Sequence, residues 1–481
     1  TDRFVSHGDA GKIAIPDKSI AVLPLANESG DKDQQYFSDG LSENFIVALS
    51  QFSGLKVIGR NSSFQFRDSK DSSVRIGQLL GVATLLEGSV QRAGEAVRIS
   101  AELIRAADGS TIWTQRYDRP YKDLFALQDE ITKEVAGALK AKLLANGDVA
   151  IQTDRPPSGN LDAYSTYLQG KFFFARGSET DLRKAIEQYA VATRIDPSYA
   201  LAWAESSHAE NWLAGAFLSG AEAQRVIEQA RQAANSALEL EPSLAAAHSA
   251  HGELLSAFDF DWNGAEAEFR RALQLAPDNT VAMENLGILL AARGRPKQAI
   301  ALTRQSLATD PLRVNGYLLL SRYLGSLGQL DEATQSIRKA IDLQPASGIY
   351  DARLVEVEIQ RGDANAALAT AQRTLPGTWQ DYALALARQI GNDRTAADAA
   401  LKLMIDKHAD GMAFQIAEVY ALRHDPDQTF AWLDRAFANR DPGIQFLLVN
   451  PFILRYRDDP RFAAFCKKVG LPTTTDAVAM K

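Results

Sequence analysis

Apolar residues recur at a fixed interval along much of this chain, with the periodicity of paired helices. Met283 and Leu286 begin one such helix with a spacing of three residues, which places them on one face. Prolines end successive helix pairs at intervals of 34 residues, namely Pro277, Pro311 and Pro345. Proline restricts the residue before it and favours the end of a helix. The period therefore predicts stacked helix–turn–helix units.

Small residues occupy equivalent places in the two most regular pairs. Gly287 and Ala299 lie in residues 280–311, and Ser321 and Ala333 take the same places in residues 314–345. Small side chains there let the two helices of a pair approach closely. With these features the two segments closely resemble a tetratricopeptide repeat protein. The resemblance implies a right-handed superhelical solenoid, which we expect over residues 161–440, followed by a capping segment over residues 441–481.

The repeat pattern is less regular on both sides of these two pairs. The pair that ends at Pro242 is about eleven residues longer than the template, and we place the extra residues around 214–224, as a longer loop or an extended helix. The pair that ends at Pro277 carries an insertion near residues 258–263. Beyond Pro345 we expect three further pairs, because terminal repeats are usually atypical. They cover residues 349–375, 378–407 and 412–439.

The first part of the chain has a different pattern, in which predicted strands and helices are mixed. Turn signals separate three strand-like runs between residues 83 and 117, which predicts an antiparallel meander. Residues 60–70 have basic and aromatic side chains interleaved, and we interpret them as a plain loop and strand. The predicted strands are Ile20–Leu25, Leu55–Arg60, Ala83–Arg92, Ala96–Arg105 and Ser110–Tyr117. The predicted helices cover residues 37–52, 74–80 and 123–144.

This first region is similar over nearly its whole span to the N-terminal domain of the translocation protein TolB. The supporting strings include SIAVLPLANESGD, LLEGSVQRAGEAVRISAELIRAADGSTIWTQRYDRP and LFALQDEI. More particularly, the region looks like the TolB-like domain found ahead of tetratricopeptide arrays in bacterial regulators. In that family the domain follows either a winged-helix DNA-binding domain of the ToxR and CadC sort or a class III nucleotide cyclase domain. The resemblance leaves open which of the two heads the parent carries.

Composition limits the classes of function. Hydrophobic residues make up 46% of the 481 residues and charged residues 23%, as in ordinary soluble proteins. The formal net charge of −8 argues against direct nucleic-acid binding by this chain, because duplex binding needs a positive patch. Cys466 is the single cysteine, which excludes an internal disulfide framework. No apolar run has the length of a transmembrane helix, and a membrane span, if the parent has one, is expected upstream.

The fold class that these patterns predict is α+β. A leader or linker occupies residues 1–18, and the TolB-like α/β domain follows over residues 19–145. Residues 146–160 contain two prolines and two glycines, and form the predicted linker to the all-α array. The chain opens with Thr1 and not with methionine, so we expect a longer parent protein.

Repeat arrays of this family usually bind partners on the concave surface formed by the first helix of each pair. We call this surface the inner face; it comprises places two, five, nine and twelve of each first helix. Carboxylate-clamp members have a lysine at the fifth place, where this chain has Ala204, Ser249, Glu284 and Leu318. The clamp is therefore absent, and a mixed apolar and acidic groove is expected. The candidate partner-binding residues are His208, Asn211, Glu253, Glu284, Ile288, Asn315, Leu318 and Arg322.

We find no motif for catalysis, and we predict no cofactor and no metal. The chain has no HExxH, no Gly-x-Ser-x-Gly and no glycine-rich dinucleotide turn. His248 and His251 are three residues apart on one helix, a spacing that suits a shared metal, and Glu253 is close by. Both histidines fall at packing places of their repeat, and no third strong ligand is placed by the sequence. We interpret them as core histidines and predict that the protein is not an enzyme.

The sequence thus predicts a non-catalytic sensory or scaffold module of a bacterial signal-transduction or transcription regulator. A protein or peptide is the expected partner, and a homo-oligomer is compatible with the sequence. One alternative is the regulatory C-terminal region of a class III adenylate or guanylate cyclase, and another is a direct sensor of a small ligand. From family analogy we expect a periplasmic location when the head is ToxR-like, and otherwise a cytoplasmic one.

Overall fold

The computed structural model describes residues 15–140, 142–143, 154–218 and 220–480. Most of the predicted leader and of the predicted linker lies outside these residues. The chain divides into two compact units, which are described separately. The N-terminal unit comprises Thr1–Ala209, Ser236–Leu244 and Leu307–Arg313. The C-terminal unit comprises Glu210–Asn235, Ala245–Ser306 and Val314–Lys481.

The N-terminal unit contains a six-stranded mixed sheet with the order β4-β1-β5-β6-β7, in which β2 also pairs with β5. Strand β1 is parallel to both of its neighbours, whereas β5, β6 and β7 form the expected antiparallel meander. Strands β3 and β8 form a separate two-stranded pair. The strands are β1 (Ser19–Val22), β2 (Ala26–Asn27), β3 (Phe52–Ser53), β4 (Lys56–Val57), β5 (Thr84–Ala93), β6 (Ala96–Arg105), β7 (Thr111–Pro120) and β8 (Lys142–Leu143).

Helices lie beside the sheet, and those that the sequence predicts follow the expected positions closely. The helices are α1 (Gln35–Ser50), α2 (Arg60–Ser63), α3 (Ser73–Leu80) and α4 (Leu124–Ala138). Helix α3 ends at Gly81, which has the left-handed conformation that glycine adopts without strain. Residues 60–66 were expected to be loop and strand, and this prediction was wrong: they form α2 and a further helical turn.

Helix pairs follow in chain order, as the period predicts. They are α5 (Leu161–Phe174) with α6 (Glu179–Ile195), α7 (Ala200–Phe217) with α8 (Gly220–Leu240), α9 (Ala245–Leu254) with α10 (Trp262–Leu275), α11 (Thr280–Ala292) with α12 (Pro296–Thr309), α13 (Val314–Ser326) with α14 (Leu330–Leu343), α15 (Gly348–Gln360) with α16 (Ala364–Arg373), α17 (Thr378–Gln389) with α18 (Arg394–His408), and α19 (Ala413–Leu422) with α20 (Pro426–Ala438). The extra residues near 214–224 lengthen α7 and α8. The fold class is α+β, with a sheet region followed by a tetratricopeptide solenoid.

Small residues set the distance between the helices of a pair, as predicted. A Cβ atom added at Gly252 of α9 would lie 2.7 Å from the ring of Phe269 in α10. Gly170 of α5 faces the ring of Tyr189 in α6 in the same way. A larger residue at either place would force the aromatic ring out of a close-packed position.

Two short helical turns and one helix end the C-terminal unit. Residues Pro442–Val449 form one short helical segment, and we call this segment alone the C-terminal turns. A separate helical turn at Ile453–Tyr456 and helix α21 (Pro460–Val469) follow it. Ile444, Leu447 and Leu448 of the C-terminal turns are fully buried. Among the described residues, no helix combines the length and the apolar character that crossing a bilayer requires.

The first helix pair shares a hydrophobic core with the sheet. Ile99 of β6, Leu41 of α1, Leu168 of α5 and Tyr189 of α6 belong to one cluster of buried residues. Helices α1 and α5 are in contact at Gly40, where an added Cβ would lie 2.6 Å from both methyl groups of Leu168. The sheet and the first helix pair of the N-terminal unit therefore form a single packed structure.

We predict that Gly40→Ala lowers the melting temperature of the N-terminal unit. The added methyl overlaps a buried leucine, and overpacking of this kind costs about 1–3 kcal/mol. For a unit of this size each kcal/mol corresponds to about 2–4 °C. Thermal unfolding followed by circular dichroism measures the change.

Gly137→Ala is the matched control, because Gly137 is an exposed glycine of α4 with no atom within 4 Å of an added Cβ. Alanine is the better helix former, by roughly 0.5–1 kcal/mol, so this variant should melt slightly higher than the parent. If both variants melted at the same temperature, the close approach of α1 and α5 would be contradicted.

Candidate partner-binding face of the repeats

The predicted partner-binding residues lie on the first helices of successive pairs. His208 belongs to the N-terminal unit, where its ring centroid lies 5.1 Å from that of Phe174. The other seven belong to the C-terminal unit, on the last turns of α7 and on α9, α11 and α13. Asn315 is exposed, and Asn211, Ile288 and Arg322 are partly exposed.

Carboxylates and amides link neighbouring first helices in a ladder. Glu253 of α9 accepts hydrogen bonds from Asn211 of α7, at 2.9 Å, and from Asn285 of α11. Glu284 of α11 accepts one from Asn315 of α13, at 2.9 Å. Both glutamates are buried, and a buried carboxylate is stable only when donors replace its water. The ladder therefore fixes the spacing of the inner face from one repeat to the next.

Three of the predicted partner-binding residues lie behind the exposed surface of the inner face. Glu253, Glu284 and Leu318 are buried, so they support the face from inside. In the C-terminal unit, the predicted side chains that a partner could reach directly are Asn211, Ile288, Asn315 and part of Arg322. They combine two amides, one apolar group and one cation, which suits an extended peptide with both polar and apolar groups.

The C-terminal turns cover part of the inner face. Residues Pro442–Val449 pack against α11 and α13 of the same unit. The guanidinium of Arg322 lies over the ring of Phe446, 4.4 Å from its centroid, in a cation–π contact. This contact could not be predicted from the repeat pattern, because the turns lie outside it.

A cluster of buried polar groups extends from Arg322 towards the end of the array. Arg353 is almost fully buried; its Nη1 donates to Oε2 of Glu356 at 2.6 Å, and its Nη2 donates to the carbonyl oxygen of Ser321 at 2.8 Å. The Tyr382 hydroxyl lies 3.1 Å from Oε1 of Glu356 and 2.5 Å from Oε2 of Glu418. Sequence reasoning missed this cluster, since the repeat template fades after residue 345.

Burial raises the pKa of Glu418 to about 8, with a further contribution from the negative charge of Glu356. Arg322 and the Tyr382 hydroxyl act in the opposite direction but do not outweigh burial. A carboxyl group with a pKa in this range holds its proton at neutral pH. The cluster therefore contains one protonated acid among its charged groups.

The two histidines that the sequence singled out converge on a different glutamate. Nδ1 of His248 lies 2.5 Å from Glu268 of α10, and Nδ1 of His251 lies 3.3 Å from its other oxygen. Hydrogen bonds from the two rings lower the pKa of Glu268 to about 2. Glu253 belongs instead to the amide ladder. The pair joins α9 to α10 within one repeat, in agreement with the packing interpretation.

A second charged cluster lies between α1, α2 and α5 of the N-terminal unit. Glu43 of α1 is buried and forms ion pairs with Arg60 and Lys171. Burial alone would raise the pKa of Glu43, but the two cations outweigh it and lower the pKa to about 2. Arg67 pairs with Asp39 at 2.7 Å. Arg60 and Arg67 thus stabilise the unit by pairing with buried carboxylates.

We predict that Arg353→Met destabilises the C-terminal unit by about 3–5 kcal/mol, because removing one partner leaves the other buried charge uncompensated. Urea denaturation followed by circular dichroism measures the loss. Arg373→Met is the matched control: Arg373 is exposed and lies 3.5 Å from Asp351, and such surface pairs contribute at most about 1 kcal/mol. Equal losses in the two variants would contradict the structural role given to the buried cluster.

Family models match segments in both parts of the chain. Residues 16–134 match the family model described as "HilA/YgeH-like transcriptional regulator, second domain". Residues 259–322 and 314–347 match two tetratricopeptide repeat models. These matches agree with the sheet region and with the helix pairs.

Among curated proteins, the chain is 33% identical over 318 residues to a protein of Rhizobium meliloti (strain 1021) named "Putative adenylate cyclase 3". The match covers 66% of this chain and 41% of the relative, so the chain spans about two fifths of that protein's length. It is also 33% identical over 133 residues to the protein O-mannosyl-transferase Tmtc3 of Drosophila melanogaster, covering 27% of this chain and 14% of the relative.

Among solved structures, the chain is similar to PilW, a type IV pilus biogenesis factor, with 22% identity and a TM-score of 0.37. That similarity covers 44% of this chain and 92% of PilW. The chain thus joins a region that matches the second domain of HilA/YgeH-like transcriptional regulators to a series of tetratricopeptide repeats.

Proposed function

We propose that this chain is a non-catalytic protein-binding and sensory module of a bacterial signal-transduction or transcription regulator, and that it holds a protein or peptide partner on its inner face. The observation that carries the proposal is the amide–carboxylate ladder. It joins the first helices α7, α9, α11 and α13, which carry Asn211, Ile288 and Asn315 at the surface, with the glutamates buried behind them. A rigid row of this kind reduces the entropy cost of binding an extended segment.

The N-terminal region supports the regulatory part of the proposal. It matches a domain named for transcriptional regulators, and its sequence resembles the TolB-like domain found ahead of repeat arrays in bacterial regulators. In such a regulator the repeats would bind the partner and another part of the protein would give the output. A periplasmic location, by analogy with ToxR-like regulators, belongs to this proposal.

A second candidate is the regulatory region of a nucleotide cyclase. The similarity to the Rhizobium meliloti protein favours it, since that match extends over 318 residues. The two candidates assign the same task to this chain and differ in the output of the parent. Cyclic nucleotide synthesis by the full-length parent would support the cyclase candidate. Specific DNA binding without such synthesis would support the transcription regulator.

We predict that a photo-crosslinking amino acid on the inner face will capture a partner in cells. Benzoyl-phenylalanine would replace Asn315 in one variant and Ile288 in another, because both side chains reach the surface. The expected result is one shared protein adduct, detected as a shifted band and identified by mass spectrometry. Both positions should give it, since they lie on neighbouring first helices.

The matched control places the same amino acid at Arg271, an exposed position on the second helix α10. This position should not give the shared adduct. An adduct of equal yield at Arg271, or capture only there, would place the partner on another surface and contradict the proposal.

A further inference from the structure

The buried cluster around Tyr382 has two acceptors for one hydroxyl proton. The hydroxyl oxygen lies 3.1 Å from Oε1 of Glu356 and 2.5 Å from Oε2 of Glu418. A phenol donates a single hydrogen bond. With both carboxylates ionised, one of these oxygen–oxygen contacts would contain no proton, inside a site that excludes water. All the contacts are satisfied when Glu418 is protonated, donates to Tyr382, and Tyr382 donates to Glu356.

The surroundings of the two glutamates decide which one holds the proton. Glu356 accepts a charge-assisted hydrogen bond from Arg353 at 2.6 Å, and Arg322 lies 4.0 Å from the same oxygen. Glu418 accepts instead a neutral hydrogen bond from the amide of Asn450. The carboxylate of Asp441 also faces Glu418 and adds negative charge. Glu356 is therefore the ionised partner and Glu418 the protonated one.

Other charged groups near α19 are farther along the helix, and one of them is Arg423, which pairs with Asp398. Arg455, from the turn at Ile453–Tyr456, donates to the carbonyl oxygen of Ala421 and contacts His424. These groups lie at the C-terminal end of α19, whereas Glu418 is in its middle. The protonation of Glu418 is thus determined by the groups of α13, α15 and α17 and by the residues that flank the C-terminal turns.

Both ends of the C-terminal turns are attached to α19. At one end, the carboxylate of Asp441 accepts a hydrogen bond from the backbone N–H of Phe414 at 2.9 Å. At the other end, the amide nitrogen of Asn450 donates to Glu418, while its oxygen accepts from the backbone N–H groups of Phe452 and Ile453. The C-terminal turns lie between these two attachments and cover the inner face of α11 and α13.

We propose that the proton on Glu418 keeps the C-terminal turns closed against α19, because a neutral Glu418 can lie buried beside Glu356 and Asp441, and that loss of this proton loosens the turns and opens the inner face beside Arg322. The ionised carboxylate would still accept a hydrogen bond from Asn450, but it would be buried beside two negative charges and would no longer donate to Tyr382, and release of the turns would expose it to water. This proton-dependent opening of the turns does not depend on which partner binds the inner face. It would make access to the inner face rise with pH.

The sign of the effect follows from the pKa of Glu418, which rises from an ordinary value of 4.5 to about 8. The folded state then binds one more proton than the unfolded state between these two values. The stability that Glu418 contributes is therefore present at acidic pH and is lost as the pH rises towards about 8. Hydrogen exchange of residues 442–450, corrected for the intrinsic pH dependence, should accelerate roughly tenfold or more across this range.

Glu418→Gln in the full chain tests the proposal, because glutamine imitates the protonated acid: its amide donates to Tyr382 and its oxygen accepts from Asn450. The variant should retain slow exchange of residues 442–450 at both ends of the pH range. Infrared spectra at neutral pH should contain a protonated carboxyl band in the parent that the variant lacks. Glu332→Gln, at an exposed position of α14, is the control and should behave as the parent does.

Two results would overturn the proposal. One is a parent protein whose C-terminal turns exchange equally slowly at acidic and alkaline pH, which can be measured even if the variant does not fold. The other is a folded Glu418→Gln protein with the same pH response and the same carboxyl band as the parent.

Discussion

The ion pairs of Glu43 with Arg60 and Lys171 join the sheet of the N-terminal unit to its first helix pair. Burying a carboxylate costs free energy unless positively charged donors surround it. Removing α5 would remove Lys171, one of the two cations that pair with Glu43. Gly40 allows α1 to approach Leu168 of α5 at the same interface. The first repeat is consequently part of the core of the sheet domain.

The repeat period predicts the helix pairs well, because it encodes contacts within a pair. Spacings of three and four residues and small residues such as Gly252 recur in every regular pair, and the structure has them where they were expected. Contacts between elements far apart in the chain carry no period. The packing of α1 on α5 and of Phe446 under Arg322 each depend on single residues, and only the folded structure brings these together.

In the candidate site, too, features within one repeat could be predicted and contacts between repeats could not. Place numbers located the first helices correctly, and of the predicted partner-binding residues Asn315 is exposed. Glu253 and Glu284 occupy the ninth and the fifth place of their repeats, which are both inner-face places, yet donors from neighbouring repeats bond to them and both are buried. Position within a repeat cannot show whether the next repeat supplies a donor. The cluster of Arg353 and Glu418 was missed for a related reason, because the template is too weak there to assign places.

The central claim is that the sheet and the first helix pair open and close as one cooperative unit. Hydrogen exchange with increasing urea measures the free energy of opening for each element. Amides of α1, β6 and α5 should converge on a common opening free energy and a common dependence on urea. If α5 and α6 instead opened at a distinctly lower free energy while α1 and β6 stayed protected, the first repeat would be an independent element and the account would be contradicted.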